Sequence, residues 1–78
     1  MKIITNEKEH INIINADQLM NIQMVKANPP DKTIVRFYYN DNSSSSININ
    51  TNDVDNVIEL ICGKFETVDL RVFQKWQH

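Results

Sequence analysis

Seventy-eight residues, 41% hydrophobic and 23% charged, have the balance of a small globular domain and not of a disordered segment. A net charge of −2 is too weak for a nucleic-acid footprint or for strong mimicry of one. The single cysteine excludes an intrachain disulfide and a cysteine-based metal cluster.

Lys2 to Thr5 reads as a short β-like start, and Asn6 to Glu9 as a polar turn. His10 to Ile14 is dense in isoleucine, whose β-branched side chain favours a pleated, half-buried surface. Met1 to Ile14 thus holds two short apolar pieces split by polar residues, which is not a signal-peptide core. No apolar run approaches the ~18 residues of a membrane span. These readings predict an intracellular, cytoplasmic location and no membrane partner. Asn15 to Gln18 is turn-like. From Leu19 to Lys26 the side chains alternate, with Met20, Ile22 and Met24 one way and Asn21, Gln23 and Val25 the other. That is the period of a strand with one wet face. Asn28-Pro29-Pro30-Asp31 stops it, because proline lacks a donor and biases its predecessor to extended geometry.

A β-hairpin follows. Val35, Phe37 and Tyr39 share one face of its first arm, and Ile34, Arg36 and Tyr38 the other. On the second arm Ile47 and Ile49 face in, while Ser46, Asn48 and Asn50 face out. Without a glycine, the connection predicts a loop longer than two residues around Asn40-Asp41-Asn42. The low-complexity run Ser43 to Ser46 is expected to be the most mobile segment. Asn42-Ser43-Ser44 matches the glycosylation pattern by chance, given no secretion signal.

Asn52 suits a helix N-cap, with Asp53 and Asp55 in the first turn, where the dipole favours negative charge. Val54, Val57, Ile58, Ile61 and Cys62 form one apolar face. Gly63, the only glycine, suits a left-handed residue past the helix end. The helix is expected to cover the sheet face of Val35, Phe37, Tyr39, Ile47 and Ile49, with Phe65 closing the core. Beyond it Val68, Leu70 and Val72 alternate as in a strand, while Leu70, Phe73 and Trp76 fall three apart. The expectation is a short extended segment becoming a helical turn at Phe73, with Asp69 as a cap.

The parts for catalysis are missing, since nucleophile, base and orienting group must converge. Cys62 is assigned to core packing. His10 and His78 are isolated, without zinc spacing. Dipole compensation and a solvated helix face explain Asp53, Asp55 and Glu59 without a metal. The calcium-loop pattern and a glycine-rich phosphate loop are absent. No catalytic, metal or cofactor residue is assigned, and none is expected to be needed.

The face of Ile34, Arg36 and Tyr38 is not explained by the helix, and Asn21, Gln23, Asn48 and Asn50 are its expected neighbours. Arginine and tyrosine are enriched at the energetic centres of interfaces. The same face could stack or pair a nucleic acid, although one tyrosine is a thin platform. The reading is therefore a single α+β domain spanning residues 1–78. Its plan is a small antiparallel meander of about four or five strands with one main helix on one face. Its function is read as non-enzymatic protein binding through Ile34, Arg36 and Tyr38, with Asp53, Asp55, Glu59 and Trp76 as further contact candidates. Alternatives are a nucleic-acid-binding module on the same face and a homodimer joined through a sheet edge. So small a chain buries only about 60% of its unfolded surface, which leaves room for a partner or a second copy.

Isoleucine and asparagine each occur eleven times, and both have AT-rich codons. In size, composition, lack of catalytic parts and sheet-plus-helix plan, the chain resembles phage or mobile-element accessory proteins. Small anti-CRISPR inhibitors are one such group. The resemblance covers size and plan, and it transfers no functional residue.

Overall fold

The computed structural model describes residues 1–27 and 30–74. It is mixed α+β, with six strands in two three-stranded sheets and one α-helix among the described residues. Strands β1 (Lys2–Glu7) and β2 (His10–Asn15) form an antiparallel hairpin across the two-residue turn Lys8-Glu9. A short strand, β6 (Thr67–Asp69), adds to the far side of β1 in parallel, giving the order β2-β1-β6. The second sheet is an antiparallel meander of β3 (Leu19–Lys26), β4 (Lys32–Tyr39) and β5 (Ser44–Asn50).

One continuous meander of four or five strands is therefore not what forms. The break comes between β2 and β3. The Asn15 side chain accepts from the Asp17 amide and stabilises a 3-10 turn over Ala16–Gln18. That turn carries the chain out of the first sheet: the Ala16 amide donates back to Met1, and Gln18 accepts from the Asn40 amide of the other sheet.

Both sheets turn apolar residues, mostly β-branched, inward onto one buried cluster. Ile3, Ile14 and Val68 come from the first sheet, Val35, Phe37, Ile47 and Ile49 from the second, Val57 from the helix and Leu70 from the segment after β6. Phe37, Val35, Ile3, Ile49, Val57 and Leu70 are fully enclosed. The inward residues of β4 and β5 are those that the alternation predicts, and Tyr39 packs half-buried at the margin, its hydroxyl 2.7 Å from that of Ser45.

The helix α1 (Val54–Cys62) continues from a 3-10 turn over Thr51–Asp53. The cap is Asn50, whose side chain accepts from the Asn52 amide at 2.9 Å, and not Asn52 itself. Asp53, at the α-helical N-cap, makes no side-chain capping bond. The buried helix face is also rotated from the expected one. Val57 is enclosed, and Val54, Leu60 and Ile61 pack against the core, but Ile58 is 41% exposed and Cys62 is exposed. The first sheet, through Ile3, Ile14 and Val68, supplies part of the cover over β4 and β5 that a lone helix would have provided, so this side of the helix overhangs. Cys62 is not a core residue. It rims an open apolar groove of about 310 Å³ with Ile22, Met24, Ile58 and Ile61.

Gly63 is not left-handed either. Its φ of −77° and ψ of 176° are extended. Its requirement is space: a Cβ there would lie 2.5 Å from the Phe65 ring and 3.0 Å from the Glu59 carbonyl. Phe65 lies over this turn, 52% exposed, and does not close the core.

The C-terminal segment follows the expected order, strand and then a 3-10 turn over Arg71–Phe73. Asp69 is not at the N-cap, which is Leu70, but its side chain accepts from the Arg71 amide at 3.0 Å one residue earlier. Gln74 then does what a longer strand would do. Its side-chain amide accepts from the Asn6 backbone amide at 2.7 Å and donates to the Asn6 carbonyl at 2.8 Å. Both buried amide groups are satisfied, which removes the cost of enclosing them unpaired.

Candidate functional site

The β4–β5 hairpin positions the candidate face. Its loop is Asn40-Asp41-Asn42, closed by Tyr39 N–H to Ser43 at 2.9 Å and Asn42 N–H to Tyr39 at 3.1 Å. Asn42 is left-handed, with φ 71°. This is a three-residue hairpin loop ending in a left-handed residue, a position that asparagine tolerates. Asp41 accepts from the Ser43 amide at 3.0 Å and from its hydroxyl at 2.5 Å. Those two bonds hold its carboxyl below its ordinary pKa. The serine run is not loop: Ser44 to Ser46 belong to β5.

Strand register then arrays the outward side chains in rows. Asn21, Tyr38 and Ser44 form the first, Gln23, Arg36 and Ser46 the second, and Val25, Ile34 and Asn48 the third, with Lys32 beside Asn50 at the end. A register shift between Leu19 and Asn21 places Met20 in a bulge, 63% exposed, out of the inward set expected for it. The bulge preserves the alternation of the rest of β3, which is why Ile22 and Met24 still face the core.

Arg36 sits in the middle of this array, exposed, and makes no ion pair or hydrogen bond with another described residue. Tyr38 and Ile34 flank it along β4 and are half-buried. The Tyr38 hydroxyl donates to the Gln23 side chain at 3.3 Å, which leans the phenol across the sheet towards β3. Ile34 and Val25 form an apolar pair beside the guanidinium, with Val25 39% exposed.

The structure brings Ile34, Arg36 and Tyr38 together with the expected neighbours Asn21, Gln23, Asn48 and Asn50. It separates them from Asp53, Asp55 and Glu59. Asp55 and Glu59 ride on α1 and Asp53 is its N-cap, and the helix packs on the opposite, inner side of the sheet through Val57. Trp76 and His78 lie outside the described residues, as do Asn28 and Pro29. Val25, Lys32, Ser44 and Ser46 complete the array. Val25 and Ser46 already stand in the outward sets that the alternation gives, and Lys32 and Ser44 follow from carrying it one step further along each strand.

Elsewhere, polar groups form local pairs. His10 lies 3.7 Å from the Glu7 carboxylate at the exposed first turn. Arg71 donates to both oxygens of Asp69, at 2.9 and 2.7 Å, and holds that carboxyl below its ordinary pKa. The Thr51 hydroxyl donates to the Pro30 carbonyl at 2.8 Å, so the 2.9 Å contact between the Thr33 and Thr51 hydroxyls is donated by buried Thr33. Among the described residues no three His, Cys, Asp or Glu side chains group as metal ligands. No helix among them is long and apolar enough to cross a membrane. No protein-family model matches the chain, and no curated protein or solved structure matches it either.

Proposed function

We propose that this chain is a non-enzymatic protein-binding module, and that the outer face of the β3-β4-β5 sheet is its contact surface. The observation that carries the reading is the centre of that face: an exposed arginine, unpaired among the described residues, between a tethered tyrosine and an apolar Ile34–Val25 pair. Arginine and tyrosine set in a partly apolar surround are the residue types that dominate binding energy when water is excluded. Asp53, Asp55 and Glu59 lie on the other side of the sheet, so one contact of this kind leaves them out. The cellular role we attach to the module is to block or modulate a larger host machine.

Capture of partners from a host lysate by the immobilised protein tests the reading. Arg36→Ala and Tyr38→Ala are expected to abolish capture while leaving thermal stability unchanged. Partners retained by both variants would show that the wrong face was chosen. Nucleic acid on the same face is the competing outcome. It predicts retention of single-stranded oligonucleotides that falls steeply with salt, because each neutralised phosphate releases counterions.

A second reading has its own observation. The edge strand β2 exposes Ile11 by 55% and Ile13 by 62%, an edge open to strand-to-strand pairing with a second copy. Sedimentation of a monomer at high concentration would remove that reading and leave the first untouched.

A further inference from the structure

The outer face of the β3-β4-β5 sheet contains no carboxylate. The chain as a whole has ten acidic residues against eight basic ones, yet the outward positions of all three strands are amides, hydroxyls, apolar groups, Tyr38, Lys32 and Arg36. Charge is therefore segregated: the net-acidic protein turns a wholly non-acidic, cationic face to solvent. From this, and resting on the protein-binding reading above, we infer the chemistry of the partner: an acidic protein segment that places a carboxylate on Arg36 and an apolar side chain on Ile34 and Val25.

Spacing gives the inference its shape. Arg36 and Ile34 are two residues apart on one strand, about 7 Å along it. An extended segment with an acidic residue two positions from an aliphatic one matches that interval. A guanidinium binds a carboxylate through two parallel hydrogen bonds, and no described side chain holds that of Arg36. The Tyr38 ring and the amides of Gln23 and Asn48 border the contact and can pair with the polar groups of a peptide backbone. A nucleic-acid strand fits the same face less well. Ile34 and Val25, the apolar pair beside Arg36, offer no ring for a base to stack on.

The test is a titration of the full chain, followed by its amide resonances in NMR. The probes are a short peptide alternating glutamate with valine, the same peptide with glutamine for glutamate, the same with lysine, and oligothymidylate. The acidic peptide is expected to shift Val25, Ile34, Arg36 and Tyr38. Arg36→Gln should weaken it about tenfold, the size of a lost charge-assisted pair, with the remaining spectrum unchanged. Equal binding of the glutamine or lysine peptide at this face overturns the inference and leaves the protein-binding reading standing. Salt-sensitive shifts from oligothymidylate, with none from the acidic peptide, overturn both. Failure of the acidic peptide to shift this face also overturns the inference, and lysate capture then decides the protein-binding reading separately.

Discussion

The two sheets have three strands each and feed the same core, yet they face solvent with opposite chemistry. The outer side of β3-β4-β5 is cationic, amide-rich and free of carboxylates. On β2-β1-β6, Ile13 stands across from Ile4 and next to Ile11, an aliphatic patch at a sheet edge. The edges differ as well. β3 carries a bulge at Met20 and ends in exposed Lys26, both devices that discourage edge pairing, whereas β2 has neither. Inward faces are alike because both feed one apolar core. Outward faces are free to differ, and so they carry what distinguishes the molecule.

The comparison assumes that one core unites the sheets, and the largest expected effect tests that. Phe37→Ala should cost about 3–5 kcal/mol. That rivals the whole stability of a chain this size at about 0.05–0.15 kcal/mol per residue. Because Phe37 shares its cluster with Ile3 and Ile14, hydrogen exchange should show amides of both sheets losing protection together. Protection retained in β1 and β2 alone would mean two independent sheets.

Gln74→Ala removes the clip on Asn6 and should cost about 1 kcal/mol, since the two part-buried bonds to the Asn6 backbone are lost. Chemical denaturation measures the loss. Faster exchange should be concentrated at the Asn6 amide and not in β3-β4-β5.

The hairpins can be compared directly. Each has one non-glycine residue at positive φ, Lys8 at 49° and Asn42 at 71°. Lysine pays the full left-handed penalty of about 1–2 kcal/mol, while asparagine pays less. Thermal melts should therefore rise more for Lys8→Gly than for Asn42→Gly. The opposite order would place the strained turn in the other sheet.

Acid gives the smallest expected effect. The Asp69 carboxyl has a depressed folded pKa. Its contribution is therefore full above the ordinary carboxylate value of about 3.9, and it is lost as pH falls through the folded value. The pair is exposed and the effect small. Arg71→Gln should remove this part of the acid limb, read as the difference between the two proteins' melting temperatures below pH 4.

Much of the second sheet is legible in the chain. Alternation in Ile34 to Tyr39 and Asn21 to Val25 already sorts inner from outer residues, and register then sets Gln23 across from Arg36 and Asn48 across from Ile34. The first sheet is less so. Its third strand pairs Lys2 with Thr67; the alternation from Val68 marks an extended segment there, but nothing local says that it joins β1 in parallel. The helix was legible as an element but not in its rotation. Ile58 and Cys62 carry the same apolar period as Val57, and nothing local says which of them the second sheet leaves uncovered.

What the sequence by itself determined is the local stereochemistry. Side-chain alternation, the turn preferences of Asn40-Asp41-Asn42 and the amphipathic run from Val54 depend on residues a few positions apart. Only the tertiary structure decided which faces meet: the division into two sheets, the parallel pairing of β6 with β1, the exposure of Cys62 and Phe65, and the separation of the helix acids from Arg36. Those outcomes depend on bringing distant segments together, where burial of a shared core offsets the entropy of closing long loops.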